Sequence, residues 1–176
     1  MKRLLLALLL TSVGLAACET TGSGSTGNHT PPPPTSDAFR AQDFAWSVPT
    51  GANRIDGAVN LRVSNVRYSC NGSAVILVPE TAWSRRRMTT LYGTPNGATV
   101  AVDVVRARTP AAPPEFGTYV RSTPCAVDRF TFTGLTDGSW FVITQARPTT
   151  GSGTQMAIMR RVETRGGRAT NVNLGG

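Results

Sequence analysis

Phe130-Thr131-Phe132-Thr133-Gly134-Leu135-Thr136-Asp137-Gly138-Ser139-Trp140-Phe141-Val142 is the stretch on which the fold turns. Phe130 and Phe132 stand two apart with threonines between and after them, so they share one face of a strand. Gly134 to Gly138 carry turn residues, and Trp140 to Thr144 return as the next strand. Working outward, the same period recurs. Val100, Val102 and Val104 alternate, after a turn at Thr94-Pro95-Asn96-Gly97. Ala74 to Val78 is a continuous apolar run between Asn71-Gly72 and Pro79, which predicts a central strand buried on both faces. Val59, Leu61 and Val63 share a face, but the pattern then slips to Val66, Tyr68 and Cys70. A one-residue slip flips every side chain, so a bulge or tight turn is expected near Ser64–Asn65.

The remaining segments read the same way. Phe44, Trp46 and Val48 predict an edge strand ended by Pro49. Met88, Thr90 and Tyr92 alternate as a further strand, and Tyr119 to Val127 form one carrying Cys125. Ala111 to Pro114 form a proline-rich loop. Met156–Val162 and Ala169–Leu174 predict a closing hairpin across Gly166-Gly167. No helix-period segment stands out after the N-terminus. The expectation is an all-β domain over 37–176, a seven- to eight-stranded Greek-key-type β-sandwich.

The N-terminus is of a different kind. Lys2 and Arg3 precede the apolar run Leu4 to Leu10, which is too short to span a bilayer needing about 20 apolar residues. Leu15-Ala16-Ala17-Cys18 then resembles the lipobox of bacterial lipoproteins. That resemblance implies cleavage after residue 17 and a lipid anchor on Cys18. One acyl chain binds a membrane only marginally, whereas the three chains of such a cysteine anchor it firmly. Glu19, in place of a retention aspartate, implies export to the outer membrane, facing the periplasm. Residues 18–36 are rich in Gly, Ser, Thr and Pro, including Pro31 to Pro34, and read as a flexible linker.

Removing 1–17 leaves 176 − 17 = 159 residues, with 16 arginines against 10 acids, or +6. Lys2 is the sole lysine. Compositional bias of the genome accounts for such arginine usage; the functional reading is attraction to anionic envelope material. Nucleic acid is a poor partner for an exported lipoprotein. Cys70 and Cys125 form an even pair in an oxidising compartment, most simply a disulfide, with two buried thiols as the alternative.

Two segments carry a family resemblance. Gly72-Ser73-Ala74-Val75-Ile76-Leu77-Val78-Pro79-Glu80-Thr81 has a Gly-x-x-Val-x-Leu-x-Pro-x-Thr pattern, and the opening stretch reads Phe-x-Phe-x-x-Leu-x-x-Gly-x-aromatic. Both resemble carboxypeptidase regulatory-like domains, transthyretin-like β-sandwiches, over about residues 55–174. The resemblance implies that Leu135 packs at the mouth of the core, Gly138 permits the turn and Trp140 enters the next strand. It implies an accessory module and brings no catalytic residues.

Catalytic chemistry has few candidates. His29 is the sole histidine and lies in the linker, which disfavours Ser-His-Asp, Cys-His and zinc arrangements. The domain's nine acidic residues are scattered. The expectation is therefore no enzyme, no metal and no cofactor. The binding candidate is Trp83-Ser84-Arg85-Arg86-Arg87, where guanidinium forks suit phosphate or carboxylate and an indole face suits a sugar. Two functions follow as expectations. One is a non-catalytic envelope lipoprotein whose sandwich is a structural or protein-interaction module. The alternative is a lipoprotein that binds an anionic envelope glycan or glycolipid through Trp83, Arg85, Arg86 and Arg87.

Overall fold

The computed structural model describes residues 38–175. Cys18, His29, the signal segment 1–17 and the linker 18–36 lie outside the described residues. Ten strands, two α-helices and two 3-10 segments follow one another. The strands are β1 (Asn53–Val59), β2 (Leu61–Val63), β3 (Val66–Ser69), β4 (Ala74–Pro79), β5 (Gly97–Ala101), β6 (Arg121–Pro124), β7 (Arg129–Leu135), β8 (Gly138–Pro148), β9 (Met156–Thr164) and β10 (Ala169–Leu174). The helices are α1 (Ala82–Tyr92) and α2 (Val102–Ala107).

The strands form two sheets packed as a sandwich. The small sheet has the order β10-β1-β7; the large sheet runs β2-β3-β8-β4-β6, with β9 between β8 and β5. Between the sheets lie Ile55, Phe130, Phe132, Leu135 and Leu174 on one side and Val75, Leu77, Trp140, Val142 and Ile158 on the other. The opening stretch supplies β7 and the start of β8, but its two strands sit in different sheets. Leu135 and Trp140 are buried, and Trp140 lies on β8. The Trp140 indole N–H donates to Thr164 Oγ1 at 2.9 Å, and Thr164 in turn donates to Thr136 O, so the buried indole is satisfied. Gly138 has φ +152°, and a Cβ there would stand 2.2 Å from the Trp46 ring.

Ser64 and Asn65 have φ of 48° and 66° and join Val63 to its partner Val66. That is the tight turn the slipped alternation demanded, with the left-handed geometry of a two-residue hairpin loop. β4 lies between β6 and β8, with Val75 and Leu77 facing one core and Val78 the other.

Beyond the strand number, ten among the described residues where seven or eight were expected, four expectations need correcting. Residues 41–47 form a 3-10 segment (Ala41–Ser47), not an edge strand. On a strand Phe44 and Trp46 would share a face. Here Phe44 stacks on Tyr119, with ring centroids 4.9 Å apart, while Trp46 meets Trp140 edge-on at 4.9 Å. Met88 to Tyr92 is the end of α1, because Ser84, Met88, Leu91 and Tyr92 recur at i, i+4, i+7 and i+8 and are all buried. Thr81 and Ser84 form a capping box at its start, and Gly93 ends it at φ 81°. The valine alternation stops at Val102, which opens α2.

The fourth correction concerns the closing hairpin. β9 and β10 do not pair. β9 lies against β8 and β5, and β10 crosses to run parallel with β1. Asn53 fixes this crossover. Its side-chain N–H groups reach Leu135 O and Asp137 Oδ1, and its carbonyl accepts the Arg168 N–H at 3.0 Å.

The helices and the second 3-10 segment (Pro114–Tyr119) add a third layer. They cover part of the outer face of the large sheet, where Met88, Leu91, Tyr92 and Val102 pack on Val78, Phe141, Ala157 and Met159. Among the described residues no helix is long and apolar enough to cross a membrane.

Candidate functional site

Helical geometry separates the residues of the arginine run. Successive side chains on a helix turn by about 100°, so Arg85, Arg86 and Arg87 leave α1 in three directions. Arg85 pairs with Glu80 at 2.6 Å, and Arg161 reaches the other oxygen of the same carboxylate at 2.6 Å. Arg161 also donates to Ser139 Oγ. Glu80 is thus a clamp between α1 and β9. Arg87 lies over the Trp83 ring at 5.4 Å and the Phe116 ring at 5.9 Å, and donates to Pro110 O. Burial pulls the pKa of its guanidinium below the ordinary value. Trp83 itself is half-buried among Phe39, Phe44 and Phe116. Arg86 is exposed. Arg160 precedes Arg161 on β9 and so faces the opposite side of the sheet. Arg85 and Arg87 therefore join elements together, and the run does not converge on one ligand.

The cysteines meet their expectation: Cys70 and Cys125 are joined as a buried disulfide. Asp128 lies beside them, within 4.8 Å, but its carboxylate accepts from Ser69 Oγ, the Cys70 N–H and Arg67. That carboxylate ties the turn to β3.

Four other carboxylates are engaged similarly. Asp43 pairs with Arg40, Asp56 with Arg54 and Glu163 with Arg165. Asp137 accepts from Asn53 Nδ2 and the Gly166 N–H, which hold its carboxyl below the usual pKa.

A better-formed site lies where the helical layer stops. A groove of about 440 Å³ opens on the outer face of the large sheet. Ile76 of β4, Ile143 of β8 and Ala157 of β9 floor it. Val102 and Val105 of α2 form one wall with Tyr92, the last residue of α1. The rim is polar: Ser73, Arg106, Thr109, Gln145 and Arg147. No carboxylate lines it among the described residues. Arg106 pairs only with Asp103, at 3.0 Å, and the two side chains are 73% and 84% exposed, so that pair holds the guanidinium weakly. Arg147 is exposed and makes no ion pair among the described residues.

Tyr92 is the buried member. The residue is 6% exposed, and burial pushes its phenol pKa up to about 12. The hydroxyl has no protein partner among the described residues, yet is not sealed from solvent. The sequence hides this groove because Tyr92 and Val102 stand in alternating patterns that read as strands. The helix-spaced burial of 84, 88, 91 and 92, bracketed by Thr81 and Gly93, was the available signal.

The molecule is thus a β-sandwich with a helical layer on one face and a groove where that layer ends. No family model matches the sequence, and no curated protein matches it. Among solved structures it is similar to a candidate carbohydrate-binding protein from Pseudomonas aeruginosa. The TM-score is 0.60 at 20% identity, covering 77% of this chain and 96% of that one. The likeness shows a shared fold.

Proposed function

We propose that this protein is a lipid-anchored, non-catalytic protein of the bacterial outer membrane, facing the periplasm, whose sandwich binds an anionic envelope glycan or glycolipid in the groove beside α2. The observation that carries this reading is Arg106 and Arg147 above an aliphatic floor with no carboxylate in the lining. A concave, largely apolar site with a few convergent polar groups is the ordinary form of a small-ligand site. The likeness to a candidate carbohydrate-binding protein supports the same class. The reading keeps the ligand class expected from the sequence and moves it from Arg85, Arg86 and Arg87 to Arg106 and Arg147. Cys18 supplies the attachment, and the linker gives the domain reach.

The test is binding of the acylated protein to purified anionic envelope glycan and glycolipid across a salt series. Binding that weakens with salt, and weakens at least tenfold in the Arg106→Gln, Arg147→Gln double variant, is expected. Binding indifferent to both changes sinks the groove. For the anchor, mass spectrometry of the mature protein is expected to show an acylated N-terminal Cys18. An unmodified peptide spanning Ala17–Cys18 rules that out.

A protein partner is the second reading, and Val127 favours it. This β-branched residue is 83% exposed and held at φ 51°, a left-handed conformation that costs energy and gathers at functional positions. In-cell crosslinking from position 127 tests it: a discrete crosslinked protein supports the reading, and none removes it.

A further inference from the structure

Building on the reading that the groove binds an anion, we infer that its ligand is an acidic sugar, a uronate unit of an envelope polysaccharide, with the carboxylate held by Arg106 and Arg147 and a carbohydrate face lying on Ile76 and Ile143. Three features of the groove converge on that chemistry.

The first is charge. Arg54, Arg67, Arg85 and Arg161 are bound to carboxylates, and Arg87 lies over two aromatic rings. Arg147 has no such partner, and Arg106 has only an exposed one. They come from different elements, β8 and α2, and both line the groove. Guanidinium forks match the plane of a carboxylate, and the acid that competes for Arg106, Asp103, is 84% exposed and holds it weakly.

The second is the set of neutral polar groups. The Tyr92 hydroxyl and the Ser73 hydroxyl have no protein partners among the described residues. Gln145 accepts from Gln155 at 3.0 Å, which leaves its own amide nitrogen available. Tyr92 stays protonated until far above neutral pH, so it is a standing donor. An alkyl carboxylate would pair with the arginines and leave these three groups to water. A hydroxyl-bearing ring satisfies both sets.

The third is the floor. Ile76, Ile143 and Ala157 are aliphatic, and the aromatic among the described lining residues, Tyr92, is only 6% exposed and offers no open ring face. The C–H face of a sugar ring can lie on such a floor, but the stacking that holds neutral sugars on aromatic platforms is missing. Affinity should therefore depend on the carboxylate.

The test uses the mature acylated chain in nanodiscs, with isoleucine and alanine methyl groups observed by NMR. Three probes are titrated: trigalacturonate, maltotriose without the carboxylate, and cyclohexanecarboxylate without the hydroxyls. Saturable shifts at Ile76 and Ile143 with trigalacturonate are expected, at least tenfold weaker for either other probe. Arg147→Gln should weaken trigalacturonate at least fivefold. Tyr92→Phe should weaken trigalacturonate without changing the response to cyclohexanecarboxylate, and an otherwise unchanged methyl spectrum certifies the fold. Equal binding of cyclohexanecarboxylate overturns the sugar and leaves the anion site standing. Equal binding of maltotriose overturns the acidic sugar. Shifts at Ala58, on the outer face of the small sheet, would put the sugar on another surface and also overturn the inference. No response at Ile76 or Ile143 to any anion removes both the inference and the groove reading.

Discussion

At the scale of single residues, two titrations report how tightly the layers are held. The Tyr92 phenol is raised from 10.0 to about 12 by burial, so the folded state favours the neutral form. Its contribution to stability is complete below the unfolded value of 10.0 and is lost as pH rises through about 12. Tyr92→Phe should therefore flatten the alkaline limb of the stability curve in that window. Denaturant melts on both chains, with tyrosinate absorbance followed in parallel, will show it. Identical alkaline limbs would mean that the phenol is not held buried. Asp137 works in the opposite direction. The Asn53 side chain first, then the Gly166 N–H and the Arg165 charge, hold its carboxyl below 3.8. That contribution is present above the unfolded value and disappears as pH falls through the lowered one. Asp137→Asn should be costly at neutral pH and progressively less so in acid. A cost independent of pH would separate the residue from the crossover that Asn53 organises.

At the scale of elements, α1 and the Val127 turn carry the sharpest expectations. Thr81 accepts the Ser84 N–H at 3.1 Å, and Ser84 accepts the Thr81 N–H at 2.8 Å. Thr81→Ala should cost about 1 kcal/mol, the usual worth of an N-cap, read as a lower urea midpoint at unchanged slope. Val127 and Asp128 both sit at left-handed φ, 51° and 57°. A valine there carries a penalty of about 1–2 kcal/mol that asparagine largely avoids, so Val127→Asn should raise the midpoint. An unchanged or lower midpoint would show that the turn is held by something other than its backbone preference. These two elements also mark what the sequence discloses. The turn at Ser64–Asn65 was legible because its flanking strands alternate cleanly and slip by one. α1 was not, because Met88, Thr90 and Tyr92 alternate as a strand does while Arg85, Arg86 and Arg87 hide the helical stripe. The β9–β10 pairing failed for a different reason. Gly166 and Gly167, at φ 67° and 70°, suit a hairpin locally, but Asn53 and β1 capture β10 from far along the chain. Local turn chemistry does not encode that competition.

At the scale of the molecule, the large sheet is buried twice over. Val75, Leu77, Trp140 and Val142 face the small sheet; Val78, Phe141 and Met159 face the helices. The continuous apolar run of β4 already implied a cover on each face, because a strand with one wet face alternates. The groove exists because the helical cover is shorter than the sheet, and the length of that cover cannot be read from β4. One covalent link ties this architecture together. The Cys70–Cys125 bond joins the chain just after β3 to the chain just after β6, across a separation of 55 residues. Both residues are buried, at 0% and 2% exposure, so reductant should not reach the bond while the domain is folded. The stabilisation is exerted on the unfolded chain, where closing a loop of that length removes conformational freedom worth roughly 4 kcal/mol at the upper end. The oxidised protein should therefore keep its urea midpoint after brief exposure to reductant under native conditions. It should lose a large part of its stability once reduced while unfolded. The Cys70→Ala, Cys125→Ala double variant should melt like the reduced chain, lower still by the contacts the two sulfurs make, and be indifferent to reductant. If reduction in the unfolded state left the midpoint unchanged, the two β-layers and their helical cover would hold the fold without help from the crosslink.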